Sequence, residues 1–250
     1  MSSQRTEVVY GLHAVRALLT RHPQRVTRVL LQHGRHDARA DEIERLALGA
    51  GRAVERVDAR QLQARIGEAV HQGIVAEVTP LAACSEEQLL EAVTRTTDPL
   101  LLALDGVQDP HNLGACLRTA DACGVLAVIV PRDRAAPLNA TARKVAAGAA
   151  ETTPVATVTN LARTLGLLKA AGLWIVGAHA QGPQQAHEID LTGPRVLVMG
   201  AEGAGLRQLT QRHCDWLVRL PSLGAVESLN VSVATGMLLY EALRQRGARQ

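Results

Sequence analysis

The stretch Val196-Leu-Val-Met-Gly-Ala-Glu-Gly-Ala-Gly-Leu206 gives the clearest indication of fold in this 250-residue sequence. Its apolar opening predicts a buried strand, and the glycines that follow predict a turn whose backbone can approach a ligand closely. The glycines lack the G-x-G-x-x-G spacing of a dinucleotide-binding loop. Glu202 is the acidic side chain of the turn, and it is either part of a ligand site or a solvated loop acid.

From residue 99 onward, short apolar runs alternate with helical patterns on both sides of this stretch. The sequence predicts strands at residues 100–104, 125–130, 152–158, 173–178, 195–199 and 216–220, and helices at 113–123, 140–150, 160–171, 206–213 and 229–246. Such alternation is typical of a mostly parallel sheet with helices on both faces. Ligands bind beyond the carboxyl ends of the strands in such sheets, so we expect functional side chains in the loops that follow them.

The first third of the chain predicts a separate small α/β module over residues 6–80. Residues 26–31 are a β-branched run typical of a strand, and Leu62, Ile66 and Val70 recur at helical spacing. Residues 81–98 are polar and predict a linker, with one short helical pattern that Ser85 would cap. Residues 99–250 form the second, larger module.

Charge is unevenly distributed along the chain. The net charge is +3, residues 1–80 hold 12 arginines against 9 acidic residues, and residues 81–250 are neutral. A basic module beside a neutral one is typical of an RNA-contacting part beside a catalytic part, although solvated surface arginines would give the same count. The chain has no Phe and only 2% aromatic residues, which excludes an aromatic platform for stacking on bases.

The sequence also indicates the environment of the protein. Apolar runs stay well short of the roughly 18 residues that a transmembrane helix needs, and the first residues contain no apolar signal core. We therefore expect a cytoplasmic protein that does not enter the membrane. The four cysteines form no pair or Cys/His cluster at zinc spacing, so we expect no metal site and interpret them as buried small apolar residues.

A second cluster follows the predicted strand that ends at Asp105. A polar turn leads to a helix that Asn112 would cap, and Arg118 is a lone cation among small apolar neighbours of that helix. A buried guanidinium needs partners, which favours a functional role for Arg118. The simpler interpretations are a plain helix cap and a surface arginine.

A third cluster follows the predicted strand that ends at Leu220-Pro221. A glycine-containing loop leads to Ser228, which would cap the last helix. That helix opens with small and β-branched residues, which are poor helix formers. Tight burial against another element explains this choice better than helix propensity does.

Together, the three clusters resemble the three motifs of the SpoU/TrmH family of RNA ribose 2′-O-methyltransferases, in the SPOUT superfamily. The matching residues are Asn112 and Arg118, then Gly200, Glu202 and Gly203, then Leu220, Pro221, Ser228, Leu229 and Asn230. The resemblance covers about residues 97–250, with the motifs in the family's order and spacing. Residues 9–15 resemble the start of the L30e-like substrate-binding domain of bacterial enzymes that methylate a guanosine of 23S ribosomal RNA.

This resemblance implies an α/β chain with an L30e-like RNA substrate-binding domain and a SPOUT methyltransferase domain that has a C-terminal trefoil knot. It implies a homodimer that transfers a methyl group from S-adenosylmethionine to the ribose 2′-hydroxyl of a guanosine in 23S ribosomal RNA. The implied cofactor-binding residues are Gly200, Gly203, Leu220, Ser222 and Leu229, and the implied catalytic residues are Arg118, Asn112, Glu202, Ser228 and Asn230. Arg118 would activate the hydroxyl, stabilise the developing alkoxide or hold the adjacent phosphate.

Three other functions remain open on the sequence. A transfer-RNA ribose methyltransferase would carry the same catalytic motifs. A non-catalytic RNA-binding or ribosome assembly factor could keep the fold, but the intact motif residues argue against it. A nucleotide-dependent enzyme of the ordinary doubly wound type is disfavoured because the chain has neither G-x-G-x-x-G after its first strand nor a P-loop.

Overall fold

The computed structural model describes residues 7–35, 37–67, 71–79, 84–224 and 228–247. The chain divides into two compact units. The first unit comprises residues 1–82 and 147–152, and the second comprises residues 83–146 and 153–250. Within the described residues, no helix is long and apolar enough to cross a membrane.

The first unit is a four-stranded sheet packed with helices. Its elements are β1 (Glu7–Tyr10), α1 (Leu12–Arg21), β2 (Val26–Gln32), α2 (Ala38–Gly49), β3 (Ala53–Val57), α3 (Ala59–Ile66) and β4 (Ile74–Val78). The strand order is β1-β4-β2-β3, with β2 and β3 parallel and the other pairs antiparallel. Its main core forms where α1 and α2 cover the sheet with fully buried side chains such as Leu18 and Ile43. The predicted helix at residues 62–70 matches α3 as far as Ile66, and Val70 lies outside the described residues.

The second unit is a seven-stranded sheet covered by helices. Its elements begin with α4 (Glu86–Arg95), β5 (Leu100–Asp105), α5 (Pro110–Ala122), β6 (Ala127–Pro131) and α6 (Ala140–Val145), and α7 (Ala149–Thr152) follows as part of the first unit. They continue with β7 (Val155–Val158), α8 (Leu161–Ala170), β8 (Trp174–Ala178), β9 (Gln184–Gln185), β10 (Arg195–Gly200), α9 (Gln208–His213), β11 (Trp216–Arg219) and α10 (Val231–Gly247). The strand order is β7-β6-β5-β10-β8-β11-β9 and every pair is parallel, so the predicted parallel sheet is confirmed.

The polar stretch at residues 81–98, which the sequence predicts to be a linker, contains the packed helix α4. The Ser85 hydroxyl accepts a hydrogen bond from the Gln88 amide at 3.1 Å, so the predicted cap is confirmed. Leu89 and Val93 belong to the core of the second unit, because the helix turns its apolar side to the sheet. The helical part of this stretch therefore belongs to the second unit, while residues 81–83 lie outside the described residues.

The helix predicted at residues 140–150 is interrupted. Ala147 and Gly148 have φ angles of 51° and 102°, and a right-handed helix cannot continue through such residues. The chain therefore forms α6 and then the short α7. The strand predicted from residue 152 begins only at Val155, because α7 takes up its first residue.

Candidate functional site

The site begins where two neighbouring strands end side by side. Gly200 at the end of β10 pairs in register with Asp105 at the end of β5. The side chain of Asp105 is fully buried, and its Oδ2 accepts a hydrogen bond from the Arg207 backbone amide at 2.8 Å. The Arg207 Nε lies 3.1 Å from Oδ1, so the carboxylate and the guanidinium compensate each other's charge.

The glycine turn after β10 is held in one conformation by its own backbone. Ala201 and Gly205 exchange two backbone hydrogen bonds of 3.1 and 2.9 Å. A Cβ added at Gly200 would lie 2.2 Å from the Gly205 carbonyl carbon, so this position admits only glycine. Gly203 has a φ of 74°, a conformation that disfavours any other residue. The turn therefore presents Glu202 at the carboxyl edge of the sheet.

Glu202 is the centre of a polar network that joins three elements. Its Oε1 accepts hydrogen bonds from Asn112 Nδ2 at 3.2 Å, from Asn230 Nδ2 at 2.7 Å and from the Val231 amide at 3.3 Å. Asn230 Nδ2 also donates to Asn112 Oδ1 at 2.9 Å. The network fixes the glycine turn against the first turns of α5 and α10, and it brings together three predicted catalytic residues.

The two helix caps predicted near this network are wrong. Asp109, not Asn112, caps α5, because its carboxylate accepts the His111 amide at 3.0 Å. Asn112 lies inside the first turn, which frees its amide for Glu202. Asn230, not Ser228, caps α10, since its Oδ1 accepts the backbone amides of the second and third residues of the helix at 2.9 and 3.3 Å.

Packing of α5 against α10 sets the distance between the two asparagines. Cys116 is fully buried between these helices, and its thiol donates to Thr235 Oγ1 at 3.5 Å. Burial raises the pKa of the Cys116 thiol to about 11, so at neutral pH it is an uncharged packing group, as the sequence predicted. The cysteines Cys84, Cys123 and Cys214 are half-buried and free.

A cavity of about 200 Å³ opens beside the network, at the carboxyl ends of β8, β10 and β11. Its lining residues are Ala178, His179, Ala180, Met199, Gly200, Ala201, Glu202, Gly203, Gly205, Val218, Leu220, Ser222, Ser228, Leu229, Val231 and Ala234. All five predicted cofactor-binding residues are among them, as are Glu202 and Ser228. Ser228 makes no hydrogen bond with any described residue, which separates it from the network.

Arg118 lies away from this cavity. It is six residues after Asn112 on α5, and at about 100° per residue the two side chains are about 120° apart around the helix. The predicted burial of the Arg118 guanidinium is wrong, because this side chain is exposed and pairs with none of the described residues. The structure therefore does not bring Arg118 to the Glu202 network of its own chain.

Three residues at this edge were not predicted as site residues from the sequence. Asp105 and its partner Arg207 brace the glycine turn, and an acid at the end of an otherwise apolar strand was the available signal. His179 lines the cavity immediately after β8, and its Nδ1 accepts the Gln181 amide at 3.1 Å. The rule that ligands bind beyond strand ends points to that position too, but the loop has no motif to draw attention to it. Within the described residues, no group of three metal-ligating side chains occurs.

One side of α10 is apolar and uncovered. Val233, Met237 and Tyr240 are exposed by 53%, 39% and 66%, and their spacing places them on a single face. The opposite face, with Thr235 and Leu238, is fully buried. The predicted tight burial of α10 is therefore confirmed only for the face that carries Thr235 and Leu238.

The parallel sheet, the cavity past its strand ends and the glycine turn with its polar network define an α/β enzyme with a preformed ligand site. Comparison with known proteins is more specific. The profile of the SpoU rRNA methylase family matches residues 99–240, and that of the RNA 2′-O ribose methyltransferase substrate-binding domain matches residues 8–83. The chain belongs to the SpoU rRNA methylase family.

Full-length relatives and solved structures agree with this placement. The 23S rRNA (guanosine-2′-O-)-methyltransferase RlmB of Pseudomonas aeruginosa is 58% identical, over 96% of this chain and 97% of its own, and that of Escherichia coli strain K12 is 50% identical, over 96% and 99%. The SpoU methyltransferase AviRb of Streptomyces viridochromogenes, solved with its cofactor AdoMet, superposes with a TM-score of 0.77 at 26% identity, covering 96% of this chain and 90% of that chain. An AdoMet-bound rRNA methyltransferase of Sinorhizobium meliloti gives 0.75 at 27% identity, covering 96% and 87%.

Proposed function

We propose that this protein transfers a methyl group from S-adenosylmethionine to the ribose 2′-hydroxyl of a guanosine in 23S ribosomal RNA. The observation that carries the proposal is the Glu202–Asn112–Asn230 network beside the cavity, in a chain 58% identical to an RlmB methyltransferase over nearly its whole length. The P. aeruginosa and E. coli relatives are both named for this reaction.

The cavity fits a methyl donor that is part apolar and part charged. Met199, Val218 and Leu220 supply apolar surface for an adenine ring, while Ser222 and the backbone groups of the glycine turn supply polar atoms. We propose that Gly200, Gly203, Leu220, Ser222 and Leu229 hold this cofactor. When bound, S-adenosylmethionine supplies a methyl group on a sulfonium, which is already a strong electrophile.

The task of the protein is then to align the ribose hydroxyl and to favour the transfer of its proton to solvent water. Oε1 of Glu202 accepts three hydrogen bonds, which orient the carboxylate, and its Oε2 faces no hydrogen-bond donor among the described residues. We assign Glu202, Asn112 and Asn230 the role of fixing this edge of the cavity, and Ser228 that of contacting the ribose from the lining.

We assign Arg118 the role of stabilising the negative charge that develops on the ribose oxygen. A guanidinium keeps its proton at all ordinary pH values, so it acts as a cation and hydrogen-bond donor. Because Arg118 points away from the cavity of its own chain, we propose that it acts at the cavity of a second copy in a homodimer. The uncovered apolar face of α10 supports such a dimer, since exposed patches of this kind mark protein contacts.

Three further features belong to this proposal. The strand β10 lies between β5 and β8 although both precede it in the chain, which supports the trefoil knot of the SPOUT domain. The first unit, which matches a substrate-binding domain, would provide phosphate contacts and choice of RNA. We propose a cytoplasmic protein, because its substrate is ribosomal RNA.

The test is single-turnover methylation by an Arg118→Ala variant at saturating RNA. We expect S-adenosylmethionine binding to be retained and the rate to fall at least about a hundredfold, the usual loss for one charged stabiliser. Arg212→Ala, which removes another exposed arginine of the second unit, is the matched control and should react at the wild-type rate. A near-normal rate for Arg118→Ala would exclude the assigned role, and a wild-type protein that leaves 23S RNA ribose unmodified would exclude the function itself.

A further inference from the structure

The second unit has 15 cations and 14 carboxylates, a net charge of +1, but its charges are segregated. Residues 110–145 contain five cations and two carboxylates, a net charge of +3, so the rest of the unit carries a net charge of −2. Elsewhere in the unit, six cations form ion pairs with carboxylates. The pairs are Arg95–Glu91, Arg163–Glu86, Lys169–Asp215, Arg207–Asp105, Arg244–Glu241 and Arg246–Asp98.

Four exposed cations within residues 110–145 have side chains that make no hydrogen bond or ion pair with any described residue: Arg118, Arg132, Arg134 and Lys144. Arg118 already has a role in the proposed function, and we call the other three the arginine face. Its carboxylate neighbours are Asp121, which accepts a hydrogen bond from Thr153, and Asp133, which lies between the two loop arginines. The excess of positive charge on this face is therefore neither cancelled by neighbours nor used in the fold.

The helix α6, which carries Lys144, packs directly against α5. A Cβ added at Gly114 of α5 would lie 2.5 Å from the Ala142 carbonyl oxygen and 2.8 Å from the Val145 Cβ of α6. Lys144 lies one residue before Val145 on α6, so its side chain points about 100° away from the side of α6 that meets α5 and is exposed.

The loop at residues 132–139 connects this face with the catalytic edge. A Cβ added at Gly106 would lie 3.6 Å from the Arg134 carbonyl oxygen, 3.3 Å from Arg207 Nη2 and 3.8 Å from the Ala201 Cβ. The loop is also tied to the β5 end by a 2.8 Å hydrogen bond from the Ala136 amide to the Val107 carbonyl. The loop arginines therefore lie beside the glycine turn that presents Glu202.

We propose that the arginine face binds the phosphate backbone of the substrate RNA on either side of the nucleotide to be methylated. The inference rests on the proposed function for the identity of the RNA and adds a surface that is separate from the substrate-binding unit. Exposed cations without carboxylate partners suit this role for two reasons. A phosphate that binds to them does not have to displace an internal ion pair, and its binding releases condensed counterions. The face accounts for why this unit keeps unpaired arginines next to its catalytic edge.

The test compares the full-length Arg132→Ala/Arg134→Ala double variant with wild type for binding to a 23S ribosomal RNA transcript across salt concentrations. Two lost phosphate contacts should reduce the log–log salt slope by about 1.4 to 1.8. Raising salt from about 50 to 200 mM lowers the RNA affinity of both proteins. The factor by which it falls should be roughly seven to twelve times smaller for the variant than for wild type. Lys144→Ala should reduce the slope by about half as much.

Two controls make the outcome decisive. Arg212→Ala removes an exposed, unpaired arginine outside this face and should leave the slope unchanged. Calorimetric binding of S-adenosylmethionine should be the same for all variants, which shows that the cavity is intact. If the double variant had the same salt slope as Arg212→Ala, the proposal that the arginine face binds RNA phosphates would be wrong. If wild type failed to methylate the transcript, the proposed function would fail, while the binding slopes would still decide whether the face contacts RNA.

Discussion

Replacing Asn230 by Asp separates the two tasks of this side chain, which are to cap α10 and to hold Glu202. An aspartate still accepts the backbone amides that Asn230 Oδ1 accepts at 2.9 and 3.3 Å, so the cap is retained. The Nδ2 donor becomes an oxygen, 2.7 Å from Glu202 Oε1 and 2.9 Å from Asn112 Oδ1. Two attractive contacts thereby turn repulsive within an otherwise unchanged structure.

The size of the effect follows from these distances. Two unit charges 2.7 Å apart repel by about 1.5 kcal/mol at the dielectric constant of water and by about 6 kcal/mol at an effective value of 20. Because Asn230 is exposed, the Glu202 side chain can swing away, and the cost is then the loss of a charged hydrogen bond, about 1.5 to 3 kcal/mol. We expect about 2 kcal/mol, which corresponds to roughly thirtyfold in rate if it falls on the transition state.

The assay is single-turnover methylation of 23S RNA at pH 8 and at pH 5.5, with thermal unfolding measured in parallel. Two carboxylates that share a site hold a proton more tightly, and one protonated oxygen restores the hydrogen bond. Relative to wild type, Asn230→Asp should therefore recover as the pH falls, whereas Asn230→Ala, which loses the cap and the bond together, should not. The control is Asn160→Asp, which changes the same residue type at the exposed cap of α8, where Asn160 accepts the Arg163 amide at 3.1 Å.

We expect Asn160→Asp to behave as wild type in both assays, since an acid at a helix N-terminus is neutral to mildly stabilising. If Asn230→Asp matched Asn160→Asp in rate at both pH values, the Glu202 network would have no part in the reaction. Equal loss in Asn230→Asp and Asn230→Ala with no pH dependence would show that the electrostatic account is wrong.

Two further perturbations test the cavity wall and the last helix. Gly200→Ala places a Cβ 2.2 Å from the Gly205 carbonyl carbon, so we expect the turn to shift and calorimetry to detect at least tenfold weaker binding of S-adenosylmethionine, and unchanged affinity would refute this. A hydrogen bond from Arg244 holds the pKa of Glu241 at about 2, well below its usual range, so this acid stabilises the fold above about pH 5 and ceases to do so as the pH falls toward 2. Because Arg244 is half-exposed, Glu241→Gln should cost only about 1 kcal/mol at pH 7 and almost nothing at pH 2, which unfolding by urea at several pH values would measure.

Much of the fold follows from local pattern in the sequence. The apolar strands of the second unit, such as β5 and β10, are predicted almost to the residue, because a parallel strand is buried on both faces and reads as a continuous apolar run. Positions at which the backbone admits only glycine, such as Gly200, could likewise be recognised from the sequence. The cap at Ser85 was predictable because a capping box lies within four residues of sequence.

The sequence could not predict contacts between residues that are far apart in the chain. Asn112 and Ser228 were plausible caps by residue type, and only the packing of α5 against α10 directs Asn112 to Glu202 and gives the cap of α10 to Asn230. Arg118 was expected to be buried, and the structure leaves it exposed on the side of α5 that meets α6.

The parallel α/β architecture, the family and seven of the residues that line the cavity follow from the sequence, because strand burial, turn chemistry and motif spacing are local properties of the chain. The tertiary structure alone decided the contacts among Glu202, Asn112 and Asn230, which are 28 to 118 residues apart. It also decided which cations of residues 110–145 stay exposed and without an ion pair among the described residues. Hydrogen bonding and charge pairing depend on distances in space, and those distances are set by the packing of whole helices against the sheet.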